Sequence, residues 1–244
     1  MRALTSTKAC AHLYRALKNS IIVTDNSYNT DKIKVAVVTG RHPYDVPSFQ
    51  AVFRSMPEID FYPQHMEDFV FDEARKQYGV VVFYNSHTAT PGNGQNWGDR
   101  EMYASIKELG ETEQGIFILH HAIVAWPKWQ LWSNIVGIQD RSGVDGYTDQ
   151  TIHIEVSNKE HHITRGLTPF GIVDETYAMN DAGEGSDVLL TTDHPKSMKT
   201  IAWTRQYKNA RVFCYQSGHD NQAYTNPNFR KVVARGIHWL AGRT

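Results

Sequence analysis

The chain has 244 residues, of which 41% are hydrophobic and 21% charged, enough for one large α/β domain with a substantial core. Its net charge of -1 gives no electrostatic case for binding nucleic acid or an anionic membrane surface. Every apolar stretch falls far short of the roughly 20 residues that span a bilayer, and Met1–Ala11 lacks the apolar centre of a signal peptide, so a cytoplasmic location is expected. Cys10 and Cys214 make neither a disulfide framework nor a metal-binding CxxC.

Residues 3–19 read as a helix with a partial apolar stripe of Leu4, Ala11, Leu13, Tyr14 and Leu17. The polar, turn-rich run Thr24–Asp31 follows, so 1–31 is expected to be a helical extension ahead of an α/β domain over 32–244. From residue 33 the pattern alternates. A strand at 33–39, a helix near 47–56, a strand at 59–65, a helix near 68–77 and a strand at 80–84 lead to a Gly/Asn/Pro-rich loop, Thr90–Gly98. Its length suggests a functional loop. A helix at 99–110 precedes a strand at 115–119, and this rhythm predicts parallel βαβ units. After residue 137 the strict alternation of Thr151–Val156 reads as a half-exposed antiparallel strand, followed by strands at 187–191, 200–203 and 210–215. Asn226-Pro227 opens a last helix to about Leu240, with Gly242 past its end.

Four histidine positions share an address just beyond a predicted strand: His42 after 33–39, His87 after 80–84, His120-His121 after 115–119, and His219 after 211–215. In an open parallel sheet the crevice outside the strand carboxyl ends is where ligands bind, and imidazole serves there as proton donor, acceptor or metal ligand. Gly40-Arg41-His42-Pro43 is neither GxGxxG nor a Walker loop, and His42 reads either as a surface turn residue or as a site group. No Cys or Ser occurs between Gly115 and Leu131, which removes the nucleophile that amidotransferases and α/β-hydrolases carry in a turn after such a strand. Adjacent strand residues face opposite ways, so only one of His120 and His121 is expected to reach a shared site. Ser217-Gly218-His219-Asp220 is the sharpest local signal, and Asp174-Glu175-Thr176-Tyr177, after an irregular stretch, offers a carboxylate and a phenol or else a loop ion pair. Trp126, Trp129 and Trp132 recur at helical spacing, read first as packing and second as a platform for a sugar ring.

Taken in order, these segments resemble the ThuA-like family, named for trehalose utilisation. The resemblance runs from about residue 33 to 243. It includes Arg41-His42, Gly115–Ala122 with Trp126-Pro127, His161–Leu167, Asp174–Tyr177, Ile201–Thr204, Ala210–His219 and Gly236–Arg243. It implies a flavodoxin-like α/β fold, a class I glutamine amidotransferase-like three-layer sandwich with a mostly parallel sheet, but no glutaminase chemistry. It places His42, His120, Glu175 and His219 on family motif positions. The expected catalytic set is therefore His42, His120, His121, Glu175 and His219, with Trp126, Tyr177 and Asp220 as substrate contacts. His42, His120 and His219 are the candidates for holding a divalent metal such as zinc. The implied partner is a small sugar or keto-sugar, turned over by an enzyme or, in the rival reading, bound without turnover. Self-association into a homo-oligomer stays open.

Overall fold

The computed structural model describes residues 32–92 and 97–243, so the helix expected at 3–19 and the centre of the 90–98 loop lie outside the described residues. The first half alternates as its hydrophobic pattern predicts: β1 Ile33–Gly40, α1 Val46–Arg54, β2 Ile59–His65, β3 Val80–Asn85, α3 Trp97–Lys107 and β4 Gly115–Leu119. The single helix expected over 68–77 is instead two pieces, α2 Met66–Phe69 and a 3-10 turn Glu73–Gln77. Asp72 divides them, because its side chain accepts from the Ala74 amide and so starts a new turn. The second half contains α4 His121–Val124, α5 Gln130–Val136, β5 Asp145–Val156, β6 Phe170–Ala178, β7 Ser186–Thr191, β8 Thr200–Tyr207, β9 Ala210–Tyr215, α6 Asn221–Thr225 and α7 Pro227–Leu240.

Among the described residues nine strands form one sheet in the order β2-β1-β3-β4-β9-β8-β7-β5-β6. The five from β2 to β9 are parallel and the remainder pair antiparallel. Alternate side chains of each parallel strand face opposite layers. Val35, Val37, Val80, Val82, Phe117 and Phe213 pack against Phe49 and Phe53 of α1 and Val233 and Ile237 of α7. Ala36, Val38, Val81, Ile116, Ile118 and Val212 pack against Met66, Met102, Ile106, Trp132 and Ile135 on the other side. With both faces covered, these strands must be apolar throughout, which is why they read as continuous runs rather than alternating ones.

Two terminal features behave as their sequence predicts. Asn226 caps α7, accepting from the amides of Asn228 and Phe229, with Pro227 in the first turn. Gly236 lets α7 approach β9: a Cβ there would sit 2.5 Å from the Phe213 ring. Among the described residues no helix is long and apolar enough to cross a membrane. The parallel strands end together, and their carboxyl edge carries the polar residues that the core excludes.

Candidate functional site

Strand β4 is buried on all sides and ends at Leu119. His120 then turns the chain with φ 49° and ψ -108°, and α4 begins at His121. A positive φ at a bulky residue is strained, and such turns cluster at functional sites. The turn overturns the expectation that His120 and His121 diverge. That rule holds for extended backbone, whereas here the reversal brings the ring centroids to 4.2 Å on the same side. His120 thus occupies the strand-to-helix position where related architectures carry a nucleophile, while Cys214 is buried within β9 and does not take its place.

His120 is fully buried. Its Nδ1 lies 2.5 Å from the Gln216 carbonyl, which places the proton on Nδ1 and leaves Nε2 as a lone pair. That Nε2 faces Glu175 Oε2 at 3.1 Å and His219 Nδ1 at 3.3 Å, and these two atoms are themselves 3.2 Å apart. The Tyr177 hydroxyl lies 3.0 Å from His120 Nε2 and 2.9 Å from His121 Nδ1, linking the two imidazoles. Ligand atoms from His120, His121, Glu175 and His219 all fall within 4.8 Å of one another. His42, from the turn after β1, stacks on His121 at 3.7 Å and lies 5.9 Å from His219, between ring centroids. The chain therefore brings His42, His120, His121, Glu175, Tyr177 and His219 to one place.

The supports of this cluster are less visible in the sequence. The stretch leading to Glu175 is not irregular but strand β6, paired with β5, so Glu175 and Tyr177 two residues apart share a face. Gly146 on β5 leaves the space that the carboxylate fills, since a Cβ there would lie 3.0 Å from Glu175 Oε1. Asp174 is buried and accepts from the backbone amides of Gly218 (2.7 Å), His219 (2.9 Å) and Glu175 (2.9 Å). Tyr84 donates to the Gly218 carbonyl at 2.9 Å and lies 2.6 Å from the Tyr224 hydroxyl, which donates to the His219 carbonyl at 2.9 Å. Gly218, at φ +124°, makes the turn that these groups clamp. Asp174, Tyr84, Gln216 and Gly146 position the site; Asp174 and Gln216 lie in segments that carry the resemblance without being singled out, and Tyr84 and Gly146 carry no motif. Only the adjacency of Asp174 to Glu175 could have flagged one of them.

Two expected substrate contacts sit elsewhere in role. Asp220 caps α6, accepting from the Gln222 amide at 2.8 Å, so its carboxylate helps to hold the turn that carries His219. Trp126 is fully buried at φ 45°, with its ring stacked on His87 at 5.4 Å and 4.9 Å from Trp132. Of the three tryptophans spaced for a helix, only Trp132 lies in one, and the three pack together. Behind them Arg141 is completely buried, and its guanidinium donates to the carbonyls of Ile123, Ala125, Trp126 and Trp129 and to Ser133 Oγ.

The electrostatics separate the histidines. Burial, followed by repulsion from His120 and His42, pushes His121 far below its ordinary value. Burial and the neighbouring His219 and His120 lower His42 as well. His219 moves up because Glu175 accepts from it. Burial opposes ionisation of Glu175, but the His120 and His219 imidazoles that face it outweigh burial and hold the carboxyl well below the usual range. The cluster thus sets the imidazoles of His42 and His121, both shifted toward the neutral form, beside a carboxylate paired with His219.

The sequence matches the family described as ThuA, trehalose utilisation, over residues 19–240. No curated protein matches it. Among solved structures it is similar to a ThuA-like protein from Parabacteroides merdae, at 20% identity and a TM-score of 0.67, covering 86% of this chain and 90% of that one. A ThuA-like protein from Bacteroides uniformis matches at 16% identity and 0.63, covering 88% and 94%. A glutamine amidotransferase from Thermotoga maritima matches at 10% identity and 0.50, covering 85% and 98%, a likeness of fold alone. With its strand-end histidines, its three-layer sheet and a match along most of its length, the chain belongs to the ThuA family.

Proposed function

We propose that this ThuA-family protein is an enzyme of carbohydrate metabolism that acts beside the carbonyl of a keto-sugar, with a divalent transition metal held by His120, Glu175 and His219. One observation carries the reading: His120 Nε2, Glu175 Oε2 and His219 Nδ1 form a triangle with sides of 3.1, 3.2 and 3.3 Å. Ligands about 2.0–2.1 Å from a tetrahedral zinc stand about 3.3–3.4 Å apart, so the triangle has the size of one face of such a site. The donor chemistry agrees. Two imidazole nitrogens and a carboxylate are zinc ligands, and the Gln216 carbonyl holds the outer proton of His120 as second-layer groups do at metal sites. His121 is the fourth donor in reach.

A cation bound there supplies polarisation of a substrate carbonyl. The remaining chemistry belongs to the chain. His42 stands outside the triangle, half-buried and shifted toward its neutral form, with a buried Nδ1 that has no hydrogen-bond partner among the described residues. It is the group suited to take a proton from the carbon beside the carbonyl. Tyr177 keeps the His120 and His121 rings in register through its hydroxyl. The family's description, trehalose utilisation, supports a carbohydrate substrate, and a carbonyl on it is the group that this lining of imidazoles, a carboxylate and a phenol would act beside.

The test is turnover. Zinc-loaded and chelator-treated protein are incubated with an oxidised disaccharide bearing one ring ketone, and products are followed by NMR. The proposal expects conversion by loaded protein only, and its loss in Glu175→Gln. Sugar binding without conversion in any form would make this a non-catalytic sugar-binding protein instead.

A further inference from the structure

Strands β5 and β6 pair in two different registers. Gln150 stands opposite Asp174 and Tyr147 opposite Thr176, so Thr148 and Asp149 together face one residue, Glu175. This is a β-bulge, and a bulge beside a site re-aims the side chains around it. Asp149 has a φ of 54°, a left-handed conformation that aspartate tolerates better than most residues. The Gln150 side-chain amide closes the bulge by donating to the Thr148 carbonyl at 2.6 Å.

The extra residue decides what lies beside Glu175. Had the register of Thr151–Ile154 run on unbroken, Tyr147 would stand opposite Tyr177; with the bulge, Gly146 does. Residues opposite one another share a face, and Glu175 and Tyr177, two apart, share theirs. Gly146 therefore leaves open the space that a phenol would otherwise take, and a Cβ on it would already lie 3.0 Å from Glu175 Oε1. The bulge is tied down from outside the sheet. Gln222 Nε2, on helix α6, donates to Asp149 Oδ1 at 2.9 Å and lies 3.4 Å from Asp220 Oδ2. Asp220 follows His219 and caps α6. One exposed amide thus links the bulge opposite Glu175 to the turn that carries His219.

We infer that Asp149 is a positioning residue: through Gln222 it holds the β5 bulge in the register that sets Gly146 beside Glu175, and so keeps that carboxylate 3.2 Å from His219. The inference takes Glu175 as the carboxylate of the proposed site and does not need the metal. The test follows the His219 ring by NMR in chelator-treated protein, with the signal assigned from His219→Ala. Glu175 raises the His219 titration midpoint above 6.5, so the midpoint reports how closely the two groups stand. Asp149→Ala and Gln222→Ala should each lower it toward 6.5, and the double variant should lower it no further. Asp149→Asn keeps an oxygen for the Gln222 amide and should retain the wild-type midpoint. Geometry and charge are thereby separated, since Asp149→Asn removes a charge but keeps the bond, and Gln222→Ala does the reverse. Zinc affinity of the same proteins should fall about tenfold in the two alanine variants and hold in Asp149→Asn. A midpoint unmoved in both alanine variants, additive effects in the double variant, or a drop in Asp149→Asn as large as in Asp149→Ala would overturn the role of Asp149. A wild-type protein that binds no zinc while the midpoints move as expected would overturn the metal centre and leave this inference standing.

Discussion

Asp174 and Gly146 show how the site depends on residues that do not touch the triangle's open side. Asp174 accepts three backbone N–H groups while buried. Asp174→Asn keeps the shape but offers an NH2 where an acceptor is needed, so the turn carrying His219 loses at least one bond. Thermal melting should report a loss of about 1–3 kcal/mol, with weaker metal binding; an unchanged melt would mean that the turn stands by itself. Gly146→Ala should act differently, because its methyl would press on Glu175 Oε1 without leaving anything unpaired. Displacing a group near a metal ligand typically weakens affinity about 10–100-fold, so zinc affinity should fall while the melt barely moves. Equal affinity would show that Glu175 has room to shift. His42, His120 and His219 could be read from the sequence because parallel strand ends bring such residues together, whereas Glu175, within β6, was legible only through the family resemblance. Gly146 could not, since its role comes from the β5–β6 pairing, and the role of Asp174 comes from amides of the distant turn after β9, which no local pattern announces.

At the level of elements, the segment between β4 and α5 decides the geometry of His121 and Trp126. It is held from behind by Arg141, a buried guanidinium with no acidic partner among the described residues, which burial pulls down to about 10. It stays cationic at neutral pH because carbonyl oxygens surround it. Arg141→Met would leave those carbonyls without donors, so a loss on the order of 3 kcal/mol is expected. For a chain of this size that lowers the melting temperature by several degrees, at about 2–4 °C per kcal/mol. A melt within a degree of the wild type would show that other donors or water replace the guanidinium. The same segment marks where sequence reasoning stopped. The positive φ of His120 cancels the alternation rule that separated His120 from His121. The tryptophan spacing imitated a helix because Trp126, Trp129 and Trp132 pack into one layer while only the last lies in α5. Strand β6 was missed for a related reason: its Gly171, Asp174 and Glu175 are poor strand formers, and pairing with β5 overrides that preference.

Over the whole molecule, the apolar runs of the parallel strands made the sheet legible, since strands covered on both faces leave little other pattern. Histidines that burial, partial or complete, shifts toward the neutral form make the metal-free protein sensitive to mild acid. His42, His87, His121 and His161 are all lowered from 6.5, in each case first by burial. Below that pH the unfolded chain takes up protons that the folded one refuses, so stability falls as pH drops through 6.5. His219 has the opposite sign: raised by Glu175, it adds stability that is complete below 6.5 and lost as pH rises through its folded value. The four lowered histidines outnumber His219 and the buried Asp174, whose raised value acts in the same direction as that of His219, and chelator-treated protein should melt earlier at pH 5.5 than at 7.5. A later melt at pH 5.5 would mean that the histidines are not buried as described. The central claim is the metal centre, and the most direct measurement is metal content and affinity of tag-free protein by elemental analysis and zinc titration. The geometry predicts one zinc-class ion per chain, lost in Glu175→Gln and in His219→Ala while both variants remain folded. A folded wild-type protein that takes up no metal, or variants that bind it as tightly as the wild type, would contradict it.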